Sequence, residues 1–351
     1  MSISFKIKGI PFRYKGAINV EDCETAEDAI VKAGLDWTVA KCPLVAKMPL
    51  LSGYDEEELL KDGFFRGVDY YRECPNAYAT YRTDKNIPLG IVKEKYTEVQ
   101  NIEAFSFFND AIGKDKAIWQ TAGFFGNGER IFVSAKLPES IFVNGKDMVD
   151  NYLIFTTSHD GSSGVKILLS PIRVVCENTL NAAIRESTNY VSFRHTISVH
   201  ENIDTAAEIL GICHKKIDFI SEQFNYMNKI KMTDKEVNQY FADIILTDAE
   251  KQSIIDTNHT IEQIIAKNYY AINDSNISSK KINTLNKIRD YYENGPGQLE
   301  YLGTGWGAYN AITGYYSNVD TGEGIKRMDK LMFGSQSIKI ANAGNIITNA
   351  A

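Results

Sequence analysis

Residues 152–184 read YLIFTTSHDGSSGVKILLSPIRVVCENTLNAAI, and the interpretation of this stretch decides the fold. Two runs rich in Ile, Leu, Val, Phe and Thr, residues that suit a pleated and half-buried surface, flank HDGSSG, whose Gly, Asp and Ser favour a reversal. A connection this short joins antiparallel neighbours, because parallel strands need a crossover of about a dozen residues or more. A hairpin is therefore predicted. Beyond it the pattern changes: RVVCENTLNAAI begins apolar, turns polar at Glu177, Asn178 and Thr179, then places Leu180, Ala183 and Ile184 at helical spacing. Asn178 (or Glu177) suits the N-cap of a helix starting there. Arg173 would then lie beside a helix start, where free backbone N–H groups and the positive dipole end favour anions. Three readings stay open for this corner: an arginine that holds a phosphate, an arginine paired with Glu177 or Asp160, and a plain capped helix.

The same signals recur upstream. AYATYRTD (77–84) and PLGIVKEKY (88–96) are short aromatic or β-branched runs around the turn-like KNIP (85–88). Asn101 is placed to cap a helix in which Ile102, Phe105, Phe108 and Ile112 share a face. Gly126-Asn127-Gly128 suits a tight turn, after which Ile131, Val133, Ala135 and Leu137 alternate with Phe132, Ser134 and Lys136. The expected fold is α+β, a curled antiparallel sheet with helices on one face, followed by a mostly helical C-terminal region. Three regions differ in texture: a mixed segment at 1–75, the antiparallel core at 76–200, and a helical part at 201–351. In the last, Ile203, Ala206, Ala207, Leu210, Cys213, Ile217, Ile220, Phe224 and Met227 form one stripe, and Thr233-Asp-Lys-Glu236 is a capping box. HTIEQIIAKNYYAI (259–272) continues the helical pattern.

The 351 residues are 44% hydrophobic and 24% charged, enough apolar material for a substantial core and a composition unlike that of a disordered chain. Every apolar run falls short of the ~18 residues that span a bilayer. The opening MSISFKIKGIPF lacks the long apolar block and small-residue cleavage site of an export signal. A cytoplasmic protein without membrane contact is expected. Cys23, Cys42, Cys74, Cys176 and Cys213, irregularly spaced, read as free and mostly buried thiols. A net charge of −7 argues at first against nucleic acid, yet residues 81–200 carry as many basic as acidic side chains, which permits one basic face.

Enzyme signatures are missing. No G-x-x-x-x-G-K-[ST] loop and no H-E-x-x-H pair occurs, and the glycine-rich GNG and DGSSG fall between strands. No catalytic residue, metal or cofactor is assigned. His159 beside Asp160 lacks a second ligand at i,i+4 spacing, and surface or cap roles are expected for His195 and His200. The candidate nucleic-acid contacts are Arg82, Lys85, Lys93 and Lys95 around the first hairpin, Arg130 and Lys136 in the second, and Arg173, Asn178 and Arg194. Phe124 and Phe125 interleave with them, as do Tyr78 and Tyr81. Cations that neutralise phosphates beside rings on which bases stack are what sequence-tolerant binding of a single strand requires. The other reading of the same residues is a solvated sheet face balanced by Glu94, Glu98 and Glu129.

RTDKNIPLGIVKEKYTEVQN (82–101), TAGFFGNGERIFVSAKLP (121–138), the stretch 151–184, the RHT of 194–196 and GWGAYNAITGYY (305–316) together resemble the phage/plasmid-like protein family built on "domain of unknown function 932", over about residues 35 to 335. The resemblance implies a protein of phages, prophages and conjugative plasmids, encoded near antirestriction or DNA-metabolism genes. The family has no agreed activity, so it supplies no catalytic residues; Arg82, Arg173, Asn178, Asn181 and Arg194 match its motif positions. The order of elements is also similar to that of phage single-strand annealing proteins. The function expected is single-stranded-DNA binding by a homo-oligomer, as a strand-annealing or recombination accessory without chemistry. The alternative is an anti-defence protein that engages a host protein through its acidic surface.

Overall fold

The computed structural model describes residues 17–50, 53–112, 118–175, 178–179, 190–320 and 324–349. Its strands are β1 (Ala17–Asn19), β2 (Val39–Met48), β3 (Gly63–Arg66), β4 (Asp69–Arg82), β5 (Ile87–Val92), β6 (Ile118–Phe125), β7 (Arg130–Val143), β8 (Asp147–Ser158), β9 (Val165–Arg173), β10 (Asn178–Thr179) and β11 (Tyr190–Phe193). They form two antiparallel sheets. The larger has the order β1-β6-β7-β8-β9-β10, with β11 also on β9; in the smaller, β4 is flanked by β2 on one side and by β3 and β5 on the other. The hairpins expected at 83–86, 126–129 and 159–164 are all present.

The helices are α1 (Ala26–Lys32), α2 (Glu56–Leu59), α3 (Asn101–Ile112), α4 (Val199–Lys229), α5 (Asp234–Ile245), α6 (Asp248–Asp256), α7 (Ile261–Ile265), α8 (Tyr269–Asp274), α9 (Ser279–Asn294), α10 (Gly305–Gly314), α11 (Gly324–Met328) and α12 (Ser335–Asn349). Helices α10 and α11 each run on into a π-helical turn, Tyr315–Val319 and Asp329–Phe333. The fold is thus α+β with a helical C-terminal region. No helix among the described residues is long and apolar enough to cross a membrane.

The large sheet is apolar on one face and mixed on the other. Ile131, Val133, Ala135, Phe155 and Leu169 turn toward α3 and α4, in a core that continues through α10 to α12. The opposite face carries Phe125, Phe132, Ile154 and Leu168, on which Met328, Met332 and Phe333 are laid. The helical part therefore reaches both faces. The expected boundaries at 75/76 and 200/201 fall inside the continuous elements β4 and α4. The capping box at Thr233 forms, and two further boxes start α6 at Thr247 and α7 at Thr260. The pattern at 259–272 splits into α7 and α8 because Lys267 takes a left-handed φ of 58°.

Several local expectations are corrected. Asn178 and Thr179 are not a helix start; they are extended and pair with Arg173 and Ile172 of β9, so the sheet's ladder takes the backbone groups that a cap would have used. The remainder of that expectation, Cys176, Glu177 and 180–184, lies outside the described residues. Asn101 does not cap α3. Its buried amide donates to the carbonyls of Leu35 and Trp37, while Glu103 accepts the Gln100 N–H. Ile102 is exposed; Ala104, Phe105, Phe107 and Phe108 form the buried stripe. Cys42 is exposed, and Cys23 and Cys74 are half-buried free thiols.

Where the sheets meet, polar groups are sealed together. Thr80 Oγ1 donates to the His159 carbonyl at 2.6 Å, and Tyr96 donates to the Ser158 carbonyl at 2.9 Å. Gly90 packs so closely that a Cβ there would stand 2.5 Å from the Asp160 Cα. His159 is fully buried, edge-on to Trp37, with Nε2 2.9 Å from Asn101 Oδ1. Because the Asn101 amide nitrogen already donates to two carbonyls, its oxygen must accept, which places the His159 proton on Nε2. His195, buried rather than superficial, stacks on Tyr96 and bridges Thr157 and the Thr97 carbonyl.

Burial, with a smaller push from His195, lowers the His159 pKa to about 3. An unfolded chain takes up that proton near pH 6.5, so stability is complete above that value. It falls by up to about 1.4 kcal/mol per unit as the pH drops toward 3. Urea denaturation across this range should show His159→Gln flattening the slope by about one proton; an unchanged slope would contradict the buried neutral ring.

Candidate nucleic-acid interface

Period-2 alternation sorts the candidate residues onto opposite faces. Phe124 and Phe125, adjacent in sequence, point apart. Phe124 joins the junction of the sheets, where the Arg82 guanidinium lies 4.1 Å from the Trp37 ring and 5.4 Å from the Phe124 ring. Arg82 is also held by Asp84, at 2.8 Å, and by the Asn127 carbonyl. It is 4% exposed and offers little charge to solvent.

Arg173 is more enclosed still, at 0% exposure. Among the described residues its carboxylate partner is Asp147 rather than the expected Asp160; Glu177, the other expected partner, lies outside the described residues. Pairing of Val149 with Arg173 across β8 and β9 brings Asp147 near, and Arg173 Nε donates to Asp147 Oδ2 at 2.6 Å. Trp306 Nε1 of α10 donates to the same oxygen at 2.8 Å, and Arg173 Nη2 reaches the Gly297 carbonyl at 2.7 Å. A cleft of ≈ 430 Å³ opens beside the pair, lined by Lys146, Met148, Val175, Leu299 and Tyr301 among others. The guanidinium closes its inner wall. Its geometry is that of a joint between sheet and helices.

Lys85, Lys93, Lys95 and Arg194 are exposed. Lys93 and Lys95 sit in the turn after β5, and the Thr97 N–H donates to the His195 carbonyl, so Arg194 flanks that turn. Lys85 is at the far end of the β4–β5 hairpin. The side chain of Asn178 is outside the described structure. Its backbone pairs with that of Arg173 across β9 and β10.

A tighter grouping appears on the outer face of the large sheet. Phe125, Arg130, Phe132, Lys136, Lys166 and Tyr190 share that face by strand register. Arg130 forms an ion pair with Asp329, and Lys136 reaches Asp150 at 2.7 Å. Lys166 has no carboxylate partner among the described residues. Its ammonium stands 4.4 Å from the Phe333 ring centroid and 5.8 Å from that of Tyr190, and burial lowers its pKa. The overlying segment adds Lys326 and Lys330, both exposed, and Arg327, which donates to the Ser317 carbonyl. Among the described residues, this face and the segment over it thus carry six cations, two of them paired with Asp329 and Asp150, in a chain of net charge −7. The rings of Tyr190 and Phe333, edge to face at 5.2 Å and each half-buried, complete the rim. Sequence reasoning reached Arg130, Lys136 and Phe125 but missed Lys166, Tyr190, Lys326 and Lys330. A lone lysine within the apolar VKILL was the available signal.

Among the described residues no group of three or more His, Cys, Asp or Glu is arranged to hold a metal ion. Residues 88–342 match the family described as Domain of unknown function (DUF932). The chain belongs to this family. The DUF932 match begins later than the resemblance read from the motifs and extends past residue 335. It takes in β6 to β11 and the segment over the sheet, and leaves out β1 to β4. No curated protein and no solved structure matches the chain.

Removing one member of a buried ion pair leaves the other charge unpaired, at a cost of about 3–5 kcal/mol. Arg173→Ala should lower the unfolding free energy obtained from urea denaturation by that amount while leaving the oligonucleotide affinity of the folded fraction intact. A stable Arg173→Ala protein with weakened affinity would instead make Arg173 a ligand contact.

Proposed function

We propose that this DUF932 protein is a non-catalytic single-stranded-DNA-binding protein of mobile genetic elements, acting in the host cytoplasm as an accessory to strand annealing or recombination. The observation that carries the reading is the cationic and aromatic rim at Lys166, Tyr190, Phe333, Lys326 and Lys330. A phosphate backbone is attracted to these ammonium groups, which have no ion pair among the described residues, and an unstacked base finds a ring in Tyr190 or Phe333, each such contact contributing about 1–3 kcal/mol without sequence preference. Single strands suit a rim of this kind because their bases are free to stack; the faces of bases inside a duplex are covered. Lys93, Lys95 and Arg194 form a second, weaker cationic edge. The buried Arg82 and Arg173 are positioning groups for the fold in this account.

The alternative reading, an anti-defence protein that engages a host protein, draws on the net charge of −7 and on the exposed acids Asp55, Glu56, Glu57 and Glu58 at α2. Salt separates the two. A single-strand binder loses affinity as salt rises, with a log–log slope of about −0.7 per neutralised phosphate. Titration of a fluorescent single-stranded oligonucleotide at several salt concentrations should give such a slope. Lys326→Ala combined with Lys330→Ala should reduce its magnitude by about 1.4. Absence of binding at low salt, or a slope indifferent to these changes, would overturn the proposal.

A further inference from the structure

The small sheet extends away from the large one as an arm built from β2, β3 and the first half of β4, and its two faces differ. Register places Tyr70, Phe65 and Arg72 on one face. There Tyr70 is buried and donates to the Leu59 carbonyl of α2, while Tyr54 packs against Phe65. The other face has nothing laid on it among the described residues. It carries Phe64 and Tyr71, stacked nearly parallel at 16° and 5.5 Å, with Lys47 in the same row and Val45, Arg66, Asp69 and Glu73 around them. Phe64 is 45% and Val45 40% exposed.

We infer that this face is where two copies of the chain meet. Nucleic acid is the obvious competitor, since stacked rings on a sheet accept bases. The charges decide against it. The face holds two cations and two carboxylates, Lys47 is already held by Asp69 at 2.7 Å, and the acidic α2 backs the arm, so a phosphate chain meets no net attraction here. An apolar centre ringed by equal numbers of both signs is the composition of a self-complementary patch, in which each copy presents the same surface to the other. Arg66 and Glu73 make no ion pair within the described chain and are free to pair across such an interface. Pairing through the sheet edge is disfavoured, because edge strand β2 carries Pro43, Lys41 and Lys47, residues that block or repel an added strand.

Light scattering on the full-length protein across a concentration series tests this directly. The wild-type chain should run at twice the monomer mass, and Phe64→Ser with Tyr71→Ser should run as a monomer with an unchanged far-UV circular dichroism spectrum. Arg66→Glu, an exposed single change that poses no threat to folding, should weaken the dimer by about tenfold by unbalancing the charges. The inference is overturned if the wild-type chain is monomeric throughout, or if the variants keep its dimer affinity. It is also overturned if the double substitution abolishes oligonucleotide binding without altering the mass, since nucleic acid would then occupy the face. The mass readouts do not depend on the DNA-binding proposal.

Discussion

The buried carboxylate of Asp147 is the point at which the β-rich and helical parts of the chain are tied together. An ionised acid taken out of water costs several kcal/mol unless its oxygens are matched, and here one oxygen takes both the Arg173 Nε–H and the Trp306 Nε1–H. Those donors come from β9 and α10, so the carboxylate is fully matched only when the strand register is correct and α10 is seated. Every residue of α10 is buried, and Trp306 and Tyr309 pack against Phe224 of α4. With α10 fixed, the chain beyond it is directed back across the second face of the large sheet, where Met328 and Met332 settle on Phe125, Phe132, Ile154 and Leu168.

This arrangement explains why the cations divide into two classes. Arginines at strand ends, Arg82 and Arg173, are consumed by structure because each has a carboxylate nearby and a ring beside it. Lysines on the returning segment and on β9 remain available, since among the described residues the carboxylate that segment contributes to the sheet, Asp329, is taken by Arg130. A chain that is acidic as a whole can therefore present a locally basic rim. The same logic applies in reverse to the arm of the small sheet, where opposite charges balance and the exposed rings favour a copy of the same surface.

Much of the fold was legible. Gly126-Asn127-Gly128 and HDGSSG fixed two hairpins through local turn chemistry, the stripe from Ile203 to Met227 became α4, and Thr233 with Glu236 capped α5. What failed had a common cause. Asn178 and Thr179 carry a strong local capping signal, but sheet pairing with β9 overrides it, and such pairing is not encoded locally. Asp147, the carboxylate that meets Arg173 among the described residues, lies 26 residues away and is selected by register, which a one-residue slip would change. Asn101 was read by its neighbours in sequence, whereas Leu35, Trp37 and His159 determine its role. The rim at Lys166 depends on a segment more than 150 residues further on, and only its strand-borne half was open to inspection.

The central claim is that polyanion contact falls on the outer rim of the large sheet. Lysine acylation footprinting, with and without a single-stranded oligonucleotide, addresses it most directly, and burial makes Lys166 a sensitive reporter because a lowered pKa leaves more of its amine uncharged and reactive. The account predicts protection of Lys166, Lys326 and Lys330 while Lys85 reacts unchanged. Full reactivity at those three, with protection at Lys93 and Lys95 or at none, would contradict it.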